Sequence, residues 1–392
     1  MARVNVIYHH FPHYRRPVLQ ELAASAEHDY SFWGSHQAVS GIEPFTGDDT
    51  LAIRPLHFAT RGRRWILSGY WPAIFDRSVD AVIILANPNM LATWKMALVA
   101  RLSGKKVLFW AHGWLRREPL PKRLLRHAYY RLAHTVMVYG TRARALGEAN
   151  GFPARRIAVV YNSLDFERSR AAFDRLRQRQ ERGKSGSALA GLFDRAMQEG
   201  ASRPVLICTA RLIAACRFDL LFHAARRLQD AGRPVDILLV GDGPERLALE
   251  RLAAELGLSV NFYGACYDES VLAELIYGAD LTVSPGKIGL TVIHSLSYGT
   301  PAITHDNLDE QMPEVEAIIP GVTGALFKQN DAGALAACIA DWLDSGRDRA
   351  LVRLACRKVV EDVWNPATQR RLIDGAVSAL VEAKKPSERP KP

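Results

Sequence analysis

The chain has 392 residues, of which 48% are hydrophobic and 23% charged, with a formal net charge of +10. That length exceeds what one hydrophobic core supports and predicts two domains of ordinary globular composition. No run reaches the roughly 18 uninterrupted apolar residues of a membrane span, since DAVIILANPNMLATWKMALVA is broken by Asn87, Pro88, Asn89 and Lys95.

The first run, in MARVNVIYHHFPHYRRP, is strand-like but too short for the apolar core of a signal peptide, so a cytoplasmic protein is expected. The runs AVIILA, KVLFWA, TVMVYG and IAVVYN follow it, then PVLICTA, VDILLVG, VNFYG, LTVSPG and PAITH. Runs this apolar are buried on both faces, as in parallel sheets covered by helices. Their alternation with helical patterns predicts two doubly wound α/β units in series.

Between the two sets lies a segment rich in Arg and Gln, read as a charged helix, a flexible Gly-Lys-Ser-Gly break and a second helix. The expected organisation is a first domain over 1–167, a helical linker over 168–203 and a second domain over 204–363. A C-terminal helix over 364–383 returns to the first domain, and a disordered tail covers 384–392. Two such sheets are expected to face each other across a cleft.

Charge is uneven: residues 1–200 hold 30 Lys and Arg against 16 Asp and Glu, net +14, whereas 201–392 hold 21 against 25, net −4. The first half is the one expected to meet an anionic partner. No helix-turn-helix, RNP or finger pattern supports nucleic acid. RRWILSGYWP at 63–72, with Arg116, Arg117, Lys122, Arg123 and Arg126, mixes cations with Trp and aliphatic residues. This suits an anionic membrane surface or a phosphate-bearing lipid, and equally a solvated basic face. The five cysteines form no CxxC pair, which argues against a zinc site or a disulfide framework and for buried reduced thiols.

Polar and glycine-rich segments fall just after strands, where ligands of open α/β sheets bind. Tyr14, Arg15 and Arg16 follow the first strand and Asn87 follows AVIILA, which makes them candidates for acceptor binding. Arg211 and Arg217 share the loop after PVLICTA and suit a diphosphate. Gly241 and Gly243 permit a tight turn after VDILLVG, and Gly264, Ala265 and Cys266 are small enough for a flat base to approach. After LTVSP comes GKIGLTVIHSLSYGTP, with a helix start near Leu290 or Thr291 whose amides suit a phosphate. Ile293 and Leu296 are expected to face the core, with His294 and Ser297 toward the cleft or solvent.

In order and spacing, ARL…R-x-D, LLVGDGPE, NFYG, GLTVIHSLSYGTPAI, MPEVEAI and GVTGALF resemble the second domain of the retaining glycosyltransferases of family 4 (glycosyl transferases group 1), over about 204–330. HFPHYRRPVLQEL, His112-Gly113 and VVYNSLD resemble the first domain of that family. The resemblance implies the GT-B fold, an α/β architecture of two Rossmann-like domains with C-terminal helices packing back toward the first. It also implies transfer of a sugar from a nucleotide diphosphate sugar, UDP- or GDP-linked, to an acceptor hydroxyl with retention. No cofactor and no bound metal are expected.

Arg211 matches the family's phosphate-binding arginine and His112 its histidine lining the donor sugar. The lysine expected five residues after Arg211 is Cys216, with Arg217 as the nearest replacement. The family's two glutamates fall at Gly286 and His294; the first would contact the donor sugar, the second the ribose hydroxyls. His294 is expected to hold the ribose, with His294→Glu partly restoring binding that His294→Ala loses, and Lys287 to replace the missing contact. Donor binding is thus assigned to Gly241, Gly243, Gly264, Ala265, Cys266, Gly286, Lys287, Ile288, Gly289, Leu290, Thr291 and His294, and catalysis to Arg211, Arg217 and His112. The acceptor is expected to be a saccharide, a polyprenyl-diphosphate-linked one among the candidates, in cell-surface or exported polysaccharide assembly. Competing readings are a degenerate sugar-nucleotide-binding partner of another transferase and a sugar-nucleotide epimerase or phosphorylase of similar architecture.

Overall fold

The computed structural model describes residues 1–39, 43–62, 64–182, 192 and 203–382. The Gly-Lys-Ser-Gly break, the second linker helix, Arg63 and the tail from 384 lie outside the described residues. The chain divides into two compact units, Met1–Leu164 with Asn365–Pro392, and Asp165–Trp364.

The first unit runs β1 (Arg3–Ile7), α1 (Arg16–Ala23), β2 (Asp29–Gly34), β3 (Gly47–Asp48), β4 (Leu51–Pro55), β5 (His57–Arg61), β6 (Arg64–Ser68) and α2 (Trp71–Phe75). It continues through β7 (Ala81–Leu85), α3 (Leu91–Leu102), β8 (Lys106–Ala111), α4 (Leu120–Tyr130), β9 (Thr135–Val138), α5 (Thr141–Ala149) and β10 (Ile157–Val159). Its main sheet has the order β10-β9-β8-β7-β1-β2-β4-β3, parallel except where β3 meets β4. The central strands β7 and β8 are the most apolar because helices cover both faces; Val82, Ile83, Ile84, Leu108, Phe109 and Trp110 are fully buried. The RRWILSGYWP segment supplies β6, which pairs antiparallel with β5, and then opens α2.

The second unit begins with α6 (Phe166–Glu181), followed by β11 (Val205–Thr209), α7 (Phe218–Asp230), β12 (Asp236–Val240), α8 (Arg246–Glu255), β13 (Val260–Gly264) and α9 (Glu269–Gly278). Then come β14 (Leu281–Ser284), α10 (Leu290–Ser297), β15 (Ala302–His305), β16 (Gly324–Phe327), α11 (Ala332–Leu343) and α12 (Arg349–Asp362). Its sheet is parallel, in the order β13-β12-β11-β14-β15-β16. The expected linker is corrected at its start: α6 packs on α9, and Phe173 is buried beside Tyr277, so this helix belongs to the second unit's outer layer.

The last helix, α13 (Pro366–Glu382), belongs to the first unit, against α1, β8, β9 and β10. Its fully buried Asp374 accepts from the Tyr30 hydroxyl at 2.7 Å, the Ser25 hydroxyl at 3.0 Å and Arg370 at 2.6 Å. The preceding helix α12 stays with the second unit, against α10. No described helix is long and apolar enough to cross a membrane. The cysteines are free, Cys208 and Cys356 buried and Cys216, Cys266 and Cys338 half-buried, which corrects the expectation that all five are buried.

Candidate functional site

In the second unit, β11 has β12 on one side and β14 on the other, so successive connections run in opposite directions from it. Such a reversal splays the loops apart and opens a crevice at the carboxyl ends of the two central strands. The loops after β11 and β14 meet there: the Gly286 amide donates to the Cys216 carbonyl at 3.1 Å. Leu212 N–H donates to Asp242 at 3.0 Å and Glu245 N–H to Leu212 at 3.1 Å, which ties in the β12 loop. Gly241 N–H reaches the Gly264 carbonyl at 2.8 Å, which adds the β13 loop. The Thr291 hydroxyl donates to the Thr209 carbonyl at 3.2 Å and fixes the start of α10 beside the end of β11.

Two glycines are required by close approach. A Cβ at Gly243 would stand 2.3 Å from the Leu212 carbonyl oxygen, and one at Gly286 would stand 2.1 Å from that of Ala215. No side chain is accommodated at such distances. The departure at Gly286 thus has a local cause: the backbone of the arginine loop, at Ala215 and Cys216, occupies the space a side chain at 286 would need.

The structure corrects two of the donor-binding assignments here. Gly286 has its amide taken by Cys216, and its carbonyl accepts from the Thr304 hydroxyl at 3.1 Å, so it is a packing position. Ile288 is fully buried, and its amide donates to Gln311 Oε1 at 2.8 Å. Gln311 also donates to the Thr304 hydroxyl and the His305 carbonyl, at 2.9 and 3.1 Å, and so clamps the loop from below. Gln311→Ala leaves the Ile288 amide buried without a partner and is expected to cost about 1 to 2 kcal/mol, read as a lower melting temperature.

What remains open at the crevice is cationic and donor-rich. Arg211 and Lys287 are exposed, and neither side chain has a partner among the described residues. The amides of Gly289, Leu290 and Thr291, at the start of α10, likewise have none there, because the first turn of a helix has no carbonyl behind it to bond. The exposed Ala265 and half-buried Cys266 follow Gly264 on the neighbouring loop.

Arg217 is corrected as an open phosphate ligand. It adopts a left-handed conformation at φ 53°, its guanidinium lies 3.0 Å from Asp219, and it also donates to Asn330 Oδ1. The Asp219 bond outweighs partial burial and raises its pKa, so this arginine is ion-paired and orders its own loop. Cys216 donates to the Arg211 carbonyl at 3.3 Å, and burial pushes its thiol pKa up.

His294 is not open either. Its Nε2 lies 2.7 Å from Glu269 Oε1 at the start of α9, and the Tyr298 hydroxyl donates to the same oxygen at 2.5 Å. Both of these bonds fall on Oε1, none of the described residues hydrogen-bonds Oε2, and the charge of Arg168 also acts on this carboxylate. Burial alone would raise the Glu269 pKa, but the bonds from His294 and Tyr298 hold it below the ordinary 4.5. A carboxylate from another helix thus stands beside position 294. Ser297, expected to face cleft or solvent, is instead buried and bonds its own helix at the Ile293 carbonyl, 2.7 Å away.

In the first unit, His112 is exposed at the end of β8, its ring edge-to-face with that of Tyr139 at 5.1 Å between centroids. Arg15 is corrected as an acceptor ligand: it is 8% exposed, bonded to the Tyr139 hydroxyl and enclosed by the Tyr8, Trp110 and Tyr139 rings. Arg16 pairs with Asp48 at 2.7 Å and lies over Phe45, while Tyr14 is half-buried. Asn87 turns its own loop, its Oδ1 accepting from Asn89 N–H at 3.0 Å. A cavity of about 500 Å³ opens beside it, lined by Asn89 and His112 but not by Asn87.

Residues 18–168 match the model of Glycosyltransferase Family 4, and residues 193–358 that of Glycosyl transferases group 1. Among solved structures, Anabaena HepE in complex with UDP superposes with a TM-score of 0.69 at 16% identity, over 97% of this chain and all of that one. Sucrose-phosphate synthase from Thermosynechococcus elongatus gives 0.67 at 16% identity, over 98% and 100%. The fold is GT-B.

Each unit of this GT-B chain therefore carries one glycosyltransferase-family region. A GDP-mannose-dependent alpha-(1-6)-phosphatidylinositol dimannoside mannosyltransferase of Mycobacterium tuberculosis is 35% identical over 102 residues, 25% of this chain and 26% of that protein. The putative glycosyltransferase EpsD of Bacillus subtilis is 26% identical over 253 residues, 60% of each chain. The chain thus matches about a quarter of the first relative's length and three fifths of the second's. Glu269, Gln311 and Asn330 were not singled out from sequence. Their partners lie 25, 23 and 113 residues away, and no local spacing marks such pairs.

Proposed function

We propose that the protein is a retaining glycosyltransferase that moves a sugar from a nucleotide diphosphate sugar to a saccharide hydroxyl. The observation that carries this reading is the crevice of the second unit, where the unpartnered cations Arg211 and Lys287 accompany the free amides of Gly289, Leu290 and Thr291. Such a set suits a group that gains negative charge as a bond breaks. As the sugar–phosphate bond lengthens, the guanidinium, the ammonium and the helix amides stabilise the departing diphosphate. The acceptor hydroxyl attacks from the same face and passes its proton to a phosphate oxygen, so no enzyme nucleophile is required.

Glu269 takes the role assigned from sequence to position 294, its Oε2 accepting from the ribose hydroxyls while His294 and Tyr298 orient it. Ala265 and Cys266 edge the base site, and His112 positions the donor sugar. The two glycosyltransferase-family regions support this reading, as do the complexes of the similar HepE with UDP and with UDP-glucose. We extend it to a cytoplasmic enzyme of cell-surface or exported polysaccharide assembly, peripheral on an anionic membrane, with a polyprenyl-diphosphate-linked acceptor.

The test is titration of the purified protein with UDP-, GDP- and dTDP-sugars, read by thermal shift and nucleotide release. One donor is expected to bind. Arg211→Ala is expected to weaken that binding by about ten- to a hundredfold, the worth of a charge-assisted hydrogen bond. Unchanged binding in that variant would place the donor elsewhere.

A further inference from the structure

The first unit holds a second cationic site, whose arginines and lysine the chemistry above does not use. The cavity of about 500 Å³ at the carboxyl ends of β7 and β8 is lined by His112, Arg116, Arg117, Glu118, Lys122 and Arg126. Arg126 and Glu118 neutralise each other through two parallel hydrogen bonds of 2.7 and 2.6 Å. Arg126 also donates to the Gly113 carbonyl at 3.2 Å and the Tyr130 hydroxyl at 3.1 Å, so the pair is a fixed wall joining α4 to the end of β8. Arg116, Arg117 and Lys122 are exposed, and none has a partner among the described residues.

Three unmatched cations around one concave space repel one another, and a bound anion relieves that repulsion. A single carboxylate would match one of the three; a diphosphate, carrying about two to three charges and several acceptor oxygens, matches the set. A cavity of this volume also has room for more than the anion, and His112, assigned above to the donor sugar, stands on its wall. On α4, Leu120, Leu124 and Leu125 are each more than half exposed, close in sequence to Lys122 and Arg126. A helix that presents leucines and cations together suits the boundary between lipid headgroups and acyl chains.

We propose that this cavity binds the diphosphate of the acceptor through Arg116, Arg117 and Lys122. The proposal rests on the transferase reading for calling the ligand an acceptor, but the anion site itself stands or falls separately. The shared chemistry is a diphosphate ester, carried by a lipid or by a soluble sugar diphosphate.

The experiment uses the full chain in the Arg211→Ala background, which weakens the donor site's own hold on phosphates. Pyrophosphate is titrated by calorimetry against this protein and against the same protein with Arg117→Ala and Lys122→Ala added. Both positions are exposed, so folding is expected to be kept, and a thermal melt confirms it. Saturable binding by the first protein, weakened about a hundredfold or more in the second, is the expected result. No binding, or equal binding by both, overturns the site.

Flotation with neutral phosphatidylcholine vesicles, with and without a polyprenyl diphosphate, then identifies the source. Capture only by diphosphate-bearing vesicles, reversed by pyrophosphate, assigns the ligand to a lipid. Pyrophosphate binding without capture assigns it to a soluble diphosphate and overturns the lipid-linked acceptor. A UDP-sugar titration of Arg117→Ala/Lys122→Ala in the otherwise native chain separates the two proposals. Retained donor binding leaves the transferase reading in place whatever the cavity does. If the native chain binds no sugar nucleotide while the cavity holds pyrophosphate, the transferase reading fails and the anion site remains.

Discussion

Glutamate at position 286 is expected to abolish donor binding, although the family pattern has glutamate there. Its Cβ would stand 2.1 Å from the Ala215 carbonyl oxygen and 3.0 Å from the Cys216 backbone. Backbone cannot swing aside as a flexible side chain does, so the arginine loop would have to lift and lose the bond between Gly286 N–H and the Cys216 carbonyl. Overpacking of this kind costs about 1 to 3 kcal/mol, and more where a charge is also buried. For a unit of this size, 3 kcal/mol corresponds to a melting temperature lower by roughly 6–12 °C. Arg211 lies on the displaced loop, so titration of Gly286→Glu with the wild-type donor should give no measurable affinity even below its melting temperature. Wild-type affinity in that variant would mean that the loop is not fixed as described.

Glu269→Ala is expected to be the second most damaging change. It removes the acceptor of two hydrogen bonds at once and leaves the Tyr298 hydroxyl and His294 Nε2 in a half-buried pocket with nothing to bond. Stranding two such groups costs about 2 to 4 kcal/mol, and donor affinity falls because the carboxylate proposed for the ribose is gone. His294→Glu, expected from sequence to restore binding, should weaken it, because a second carboxylate would stand where Nε2 is now 2.7 Å from Glu269. Like charges that close cannot both ionise.

The pH dependence of stability follows from the same cluster. The folded-state pKa of Glu269 is depressed, with burial opposing and the His294 and Tyr298 bonds prevailing. Its contribution is thus complete above the unfolded value and is lost as pH falls through the folded one. Between about pH 5 and pH 3, the melting temperature of Glu269→Gln should fall less than that of the wild type. Parallel declines would remove Glu269 from the account.

Ten strands were legible as short apolar or β-branched runs, a pattern that survives without any knowledge of neighbours; eight of them lie inside their sheets, while β10 and β13 are edge strands and only partly buried. Strands β2 and β4 were not: DYSFWG and LAIRP mix polar with apolar residues, as strands toward a sheet edge do where one face meets water. Within the site, the loops and the start of α10 could be read because turns and helix starts carry local residue preferences. What a side chain does once folded could not be read. Arg15 and Arg217 look like open cations in the sequence, yet one is enclosed by three aromatic rings and the other paired with Asp219. His294 looked like a substitute for an acid because its partner stands on a different helix.

The return of α13 to the first unit sets an order on synthesis. The second unit is one unbroken stretch of chain, Asp165–Trp364, and has all its parts before the last helix leaves the ribosome. The first unit, begun earlier, waits: Tyr30, Ser25 and Ser163 meet Asp374 and Gln369 only once those residues have been made. Until then the flank that α13 will cover, on α1 and along β8, β9 and β10, is bare. The half of the protein that starts first is therefore finished last, and a nascent chain stopped just short of residue 365 would pair a complete second unit with a first unit open along one flank.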